Sequence, residues 1–262
     1  MNPVKKFAIT ASYITCLPLY RLPKEAPPDL FAGLAKFLPS VGLMLGSFLA
    51  IAAFLLEAGH VNNLLGGALI TMSWLIATGG IHCDGLMDTA DGIFSHRDQA
   101  RMLEIMSDSR VGNFGALTGF GVILTKFACL ASLPFPALLP VLILVPCWAR
   151  WCETFAIGAF PYLRDKGMGK IWHDTTNFPI DLYIAGAVPA AATSALTFLG
   201  FGLSPLVAAL TIFAGLIASF WLNSILKGQT GDTYGAVVEL SETGALLCTA
   251  ILINLPLLEM IN

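Results

Sequence analysis

Long uncharged apolar runs dominate this chain and limit what it can fold into. They extend from Phe37 to Leu56, Val61 to Ile81, Phe127 to Ala149, Leu182 to Leu226 and, more briefly, Thr243 to Leu258. Each is long enough, or nearly long enough, to cross a bilayer as a helix of about 20 residues. Asp, Glu, Lys and Arg make up only 12% of the chain, about half the share in soluble domains, so an ordinary soluble enzyme and a disordered chain are both excluded. The expected fold is all-α: a polytopic integral membrane bundle in a single membrane-embedded domain, 1–262, without internal repeats.

About seven spans are expected, near 37–56, 62–80, 113–132, 137–158, 182–201, 204–225 and 243–259. The run from 182 to 226 divides at Gly200-Phe201-Gly202-Leu203-Ser204-Pro205, where missing donors and freed backbone end helices. Pro134, Pro136 and Pro140 predict a helix end, a turn and a new helix. Phe7 to Tyr20, cut short by Pro18 and Arg21, reads as a retained interfacial or half-inserted segment rather than a cleaved signal peptide.

Lys and Arg sort the loops into two sides. Lys5, Lys6, Arg21, Lys24 and Lys36, then Arg97, Arg101 and Arg110, then Arg164, Lys166 and Lys170, and finally Lys227 fall on one side, while the loops near 57–61, 133–136 and 200–204 hold none. The positive side stays in the cytoplasm, so the N-terminus is expected inside and the C-terminus outside. A net charge of −3 leaves no basic excess and argues against nucleic acid as a partner. The six cysteines form no CxxC pair and mostly sit in apolar runs, where they act as small hydrophobes. Lys126 is expected to snorkel from an outer helix end; Arg150 and Glu153, three apart, can pair across one turn and read equally as a structural ion pair or a substrate contact.

The polar residues concentrate on the inner side. In Gly79-Gly80-Ile81-His82-Cys83-Asp84-Gly85-Leu86-Met87-Asp88-Thr89-Ala90-Asp91-Gly92 a helix places Asp84, Asp88 and Asp91 on one face, at i, i+4 and i+7. Carboxylates so close repel unless a cation lies among them, and hard oxygen donors favour Mg²⁺ or Mn²⁺ over zinc. A solvated acidic face would instead carry interspersed lysines. Ser95-His96-Arg97-Asp98 has the form of a capping box, predicting an interfacial helix on the cytoplasmic side with Arg97 and Arg101 on its polar stripe. Those arginines and Arg110 read as phosphate clamps facing the acids or as plain anchors to lipid phosphates. The segment 227–242 brings glycines that let backbone approach an anion, and Asp232 and Glu239 at a helical spacing. The basic loop Arg164 to Lys170 reads first as a topology signal. His82 is left unassigned, and His60, His96 and His173 read as surface or loop residues.

Together GGIHCDGLMDTADG (79–92), LEIMSDSRVGNFG (103–115) and GQTGDTYGAVVELSE (228–242), with SYITCLPLYR near the N-terminus, resemble the cobalamin synthase family, the adenosylcobinamide-GDP ribazoletransferases, over essentially the whole chain. Cys83, Met87 and Lys227 depart slightly from the family pattern, which bears on fine substrate contacts. The resemblance implies transfer of the adenosylcobinamide-phosphate group of adenosylcobinamide-GDP to α-ribazole or α-ribazole 5′-phosphate, with release of GMP. It also implies a bacterial or archaeal inner membrane, a cytoplasmic-side active site, lipid surroundings and other cobalamin-pathway enzymes as candidate partners. Such chemistry needs a divalent cation, basic groups and a proton acceptor. The expected metal set is Asp84, Asp88, Asp91 and Asp108 holding Mg²⁺, with Asp84, Asp88 and Asp91 as the catalytic acids and Asp91 as either third ligand or base. Arg97, Arg101, Arg110 and Asp232 are the expected substrate contacts. A membrane phosphotransferase acting on CDP-linked alcohols is the alternative, although its D-G-x₂-A-R signature is not matched here; a cation-coupled transporter would hold its acids near mid-membrane.

Overall fold

The computed structural model describes residues 1–21, 23 and 27–253; Lys24 and residues 254–259 of the expected last span lie outside them. Among the described residues the chain forms helices and one isolated bridge between Tyr162 and Gln229. Helix α1 (Pro3–Ile14) leads through two short 3₁₀ turns to α2 (Leu38–Ala58), α3 (Asn63–Thr78), α4 (Ile81–Phe94) and the short α5 (Gln99–Ile105). Then come α6 (Asn113–Ser132), α7 (Phe135–Ala159), the short α8 (Met168–Thr175), α9 (Ile180–Phe198), α10 (Ser204–Leu226) and α11 (Gly231–Ile253). Six helical stretches are long and apolar enough to cross a membrane, and α3 with α4 makes a bent seventh candidate. The polytopic all-helical bundle expected from the apolar runs is therefore present.

Helices α7 and α11 form its centre: α11 buries Thr233 through Glu239 without a break, and α7 buries sixteen residues, from Ala137 to Ile157. The outer helices turn large apolar residues outward, including Phe48, Ile51 and Phe54 on α2, Leu117, Phe120 and Leu124 on α6, and Phe213, Ile217 and Phe220 on α10. Repeated at helical spacing, these faces would be an aggregation liability in water and suit a lipid environment. Helices α2 and α7 pack antiparallel: a Cβ on Gly42 would lie 2.3 Å from the Pro146 carbonyl oxygen and one on Gly46 2.5 Å from that of Leu142. Small residues let membrane helices approach this closely.

The second apolar run does not continue straight into the acidic segment. At Gly79 and Gly80, with φ of 62° and 71°, the backbone takes the left-handed conformation that glycine adopts without strain, and α4 leaves α3 at 87°. A helix turned that far cannot prolong the crossing, so α4 runs along the end of the bundle. Its buried residues His82, Cys83, Gly85, Leu86, Thr89, Ala90, Gly92 and Ile93 follow a helical period and pack on α11 and α6. The remaining stripe carries Asp84, Asp88 and Asp91, on one face as their spacing dictates.

Several expectations are corrected at this level. The cap of α5 is Asp98, which accepts from the N–H of Arg101 at 3.0 Å; Ser95 instead donates to the carbonyl of Gly92, so the capping box does not form. Helix α11 starts at Gly231 rather than at the expected 243, because Thr230 caps it: its hydroxyl accepts from Thr233 N–H, and the Thr233 hydroxyl accepts from Thr230 N–H. The N-terminal segment is docked, with Ile9, Thr10, Ala11 and Ile14 buried against the bundle.

Lys126 does not snorkel. It is 5% exposed, with its Nζ 2.7 Å from Glu239 and 2.6 Å from Glu242. Arg150 does not pair with Glu153; it reaches across to Glu242 at 2.7 Å, donates to the Pro146 carbonyl and lies 3.4 Å from His82 Nδ1. Four charges from α6, α7 and α11 thus neutralise one another inside the bundle, the arrangement under which buried charge is tolerated.

Candidate active site

A cleft of about 260 Å³ opens where α7 ends and α11 begins, walled as well by α1, α4, α8 and the loop before α8. Its polar lining includes Asp84, Asp232, Arg164 and Lys166. A second, more open cavity of about 680 Å³ adjoins it, and Asp84, Tyr13 and Ile81 line both. Asp84 therefore stands at the junction of two spaces.

The walls are held by identifiable local structure. Leu163 N–H donates to the Gln229 carbonyl at 2.9 Å and Gln229 N–H to that of Pro161 at 2.8 Å. This pairing ties the loop after α7 to the start of α11 and brings Arg164 within 2.6 Å of Asp232. Opposite, Gly85 lets α4 press on α11: a Cβ there would lie 2.7 Å from the Asp232 carbonyl oxygen. Asp88 is pushed up to about 7, first by burial and then by the Asp232 and Asp84 carboxylates, with Arg164 acting the other way. Asp84 and Asp232 thus form the acid group of the cleft beside the paired Arg164, and Asp88, which lines neither cavity, lies close enough to feel both carboxylates.

Not every expected residue belongs to it. Both oxygens of Asp91 are used by backbone: Oδ2 accepts from Gly112 N–H and Oδ1 from Gly115 N–H, each at 2.8 Å. It thereby caps α6, a role that satisfies orphan donors and suits the helix dipole. Asp108 pairs with Arg110 at 2.6 Å on the surface, and hydrogen bonds from that arginine hold its carboxyl at about 2. Arg101 pairs with Glu104 along α5, and Arg97, Arg101 and Arg110 are all exposed and absent from the cleft lining. The cations at the cleft are Arg164 and Lys166, from the loop whose charge reads first as topology. Glu153, marked in the sequence by its spacing from Arg150, also lines it, as do Tyr13 and Trp172, which no sequence pattern marks.

A hard divalent cation fits the acid group by charge and donor type. Among the described residues no three His, Cys, Asp or Glu side chains converge as a ready-made metal cage, but Mg²⁺ is commonly held by one or two carboxylates, with water and substrate phosphates completing its shell.

Comparison with known proteins adds to this geometry. A family profile described as cobalamin-5-phosphate synthase (CobS) matches residues 6–250. The chain belongs to the cobalamin-5-phosphate synthase family. Family membership makes it a transferase of cobalamin biosynthesis. Curated relatives carry the name adenosylcobinamide-GDP ribazoletransferase. That of Synechococcus elongatus is 39% identical over 239 residues, covering 88% of this chain and 90% of its own. Those of Thermosynechococcus vestitus and Desulfitobacterium hafniense are 38% and 37% identical, covering 91% and 92% of this chain and 92% and 95% of theirs. No solved structure matches.

Proposed function

We propose that this protein transfers the adenosylcobinamide-phosphate group of adenosylcobinamide-GDP to α-ribazole or α-ribazole 5′-phosphate and releases GMP, with Mg²⁺ as cofactor, at the cytoplasmic face of a bacterial or archaeal inner membrane. The relatives' name supports the substrates. The observation that carries the site assignment is the position of Asp84 where two cavities meet, since a two-substrate transfer needs its reacting atoms at such a junction.

Asp84 accepts the proton of the attacking ribose hydroxyl. The hydroxyl oxygen forms a bond to the cobinamide-linked phosphorus as the bond from that phosphorus to the bridging oxygen breaks, and the electron pair leaves on that oxygen with GMP. Asp88 and Asp232 would hold the Mg²⁺, which when bound would neutralise charge on the pyrophosphate. Arg164 keeps Asp232 in place and, with Lys166, offers charge-assisted donors to the leaving phosphate. Asp91 acts on the site through the fold, by fixing α6 against α4.

Incubating the purified protein with adenosylcobinamide-GDP, α-ribazole and Mg²⁺ should release GMP. D84N should lower turnover by about 10²–10⁴-fold, as expected for loss of a general base, with insertion unchanged. Near-normal turnover of D84N would overturn this assignment. Direct competition between α-ribazole and its 5′-phosphate identifies the working acceptor.

A further inference from the structure

Three buried side chains lining the 260 Å³ cleft hold polar atoms that the transfer chemistry leaves unused. Glu153 is 3% exposed; its Oε1 lies 3.9 Å from His82 Nε2, and its Oε2 has no hydrogen-bond partner. Trp172 and Tyr234, 4% and 2% exposed, line the same cleft, and the indole N–H and phenol O–H are likewise without partners. Buried polar groups are almost always satisfied, and three such side chains around one cleft point to a ligand that completes them.

The types of these groups narrow the ligand. With its carboxyl ionised Glu153 only accepts, while an indole only donates and a phenol does either, so a guest that presents N–H donors beside an acceptor suits them. The walls are aromatic: Tyr13 meets Trp172 edge-on at 5.5 Å and Tyr162 lies 6.0 Å from Tyr234, which suits a planar ring.

Resting on the substrates proposed above, we propose that this end of the cleft is a guanine subsite, with Glu153 accepting from the N1–H and 2-amino group, Trp172 donating to O6, and the nucleotide's phosphates reaching Arg164 and Lys166. The benzimidazole of α-ribazole, glycosylated at one nitrogen, has no ring N–H to offer Glu153. It belongs in the neighbouring cavity beyond Asp84.

Binding of GMP, IMP and AMP to the full-length protein in detergent with Mg²⁺ tests this assignment by calorimetry. The wild type should bind GMP at least roughly tenfold more tightly than IMP, which lacks only the 2-amino group, as expected for a hydrogen bond to a charged acceptor, and AMP more weakly still. E153Q should reduce the GMP to IMP ratio toward one. W172F should weaken GMP and IMP equally, because both carry O6, and R164Q should weaken both equally through the phosphate. A wild-type protein that binds GMP, IMP and AMP alike overturns the subsite whether or not any variant folds, as does a folded E153Q that keeps the wild-type ratio. GMP release in the turnover assay stands apart: release with a flat nucleotide preference refutes only the subsite, whereas absence of release refutes the transferase reading beneath it.

Discussion

Three aspartates on one helical face serve different ends because their neighbours differ. Asp84 borders both cavities, Asp88 lies among other carboxylates, and Asp91 is consumed by two backbone N–H groups. The i, i+4, i+7 spacing makes the shared face legible; which member faces the cleft depends on α6 and α11, and no local pattern gives that. D91A should cost about 0.5–2 kcal/mol, as for loss of a helix cap, and lower the thermal midpoint while leaving the Mg²⁺ concentration for half-maximal turnover unchanged. Asp88 should show the opposite behaviour. With its carboxyl at about 7, it is largely protonated below that pH and ionised above it, and a cation needs the ionised form. The Mg²⁺ requirement should therefore rise as pH falls from 8 to 6, and D88N should remove most of that dependence. The arginines show the same limit of local reading: Arg101 and Arg110 have sequence-near acidic partners that occupy them on the surface, whereas Arg164 meets an acid 68 positions away.

Among elements, the pair that decides the site is α4 on α11. The helical character of α4 follows from small and apolar residues recurring at helical spacing, and its right-angle departure from the Gly79-Gly80 pair. Its partner is not readable, because the contact passes through Gly85, a residue without a side chain to signal it. G85V should force the two helices apart at Asp232, costing about 1–3 kcal/mol by overpacking and reducing turnover beyond what the loss of folded protein explains. Comparing specific activity of the folded fraction with its thermal midpoint separates the two effects. The expected span begins at 243 and misses the start of α11 for a related reason: the glycines and acids of 231–242 look like surface chemistry, but the packing of α11 buries Gly235, Glu239 and Glu242.

At the scale of the molecule, the apolar runs were enough to establish a polytopic bundle, and the uneven distribution of Lys and Arg supports one orientation of it. After replacing the exposed Cys16 and Cys248 with serine, G202C and K166C should react with a membrane-impermeant maleimide from opposite sides, K166C from the cytoplasm. The buried charges could not be placed from sequence, since Lys126 and Arg150 find partners about a hundred residues on, across the bundle. K126M should destabilise the protein by about 3–5 kcal/mol, because Glu239 loses its cation and a buried charge is left unpaired. The double variant K126M/E239Q should recover part of the thermal midpoint, a non-additivity that identifies the pair as coupled.

That network also bears on how the protein is made. Synthesis proceeds from the N-terminus, so α6 and α7 bring Lys126 and Arg150 toward the membrane before the glutamates of α11 exist to receive them. Until α11 arrives the two cations are without their anions, and when it does a single insertion neutralises both while closing the wall that carries Asp232. Charge balance in the bundle and completion of the cleft thus both depend on α11, and a chain cut before it has neither.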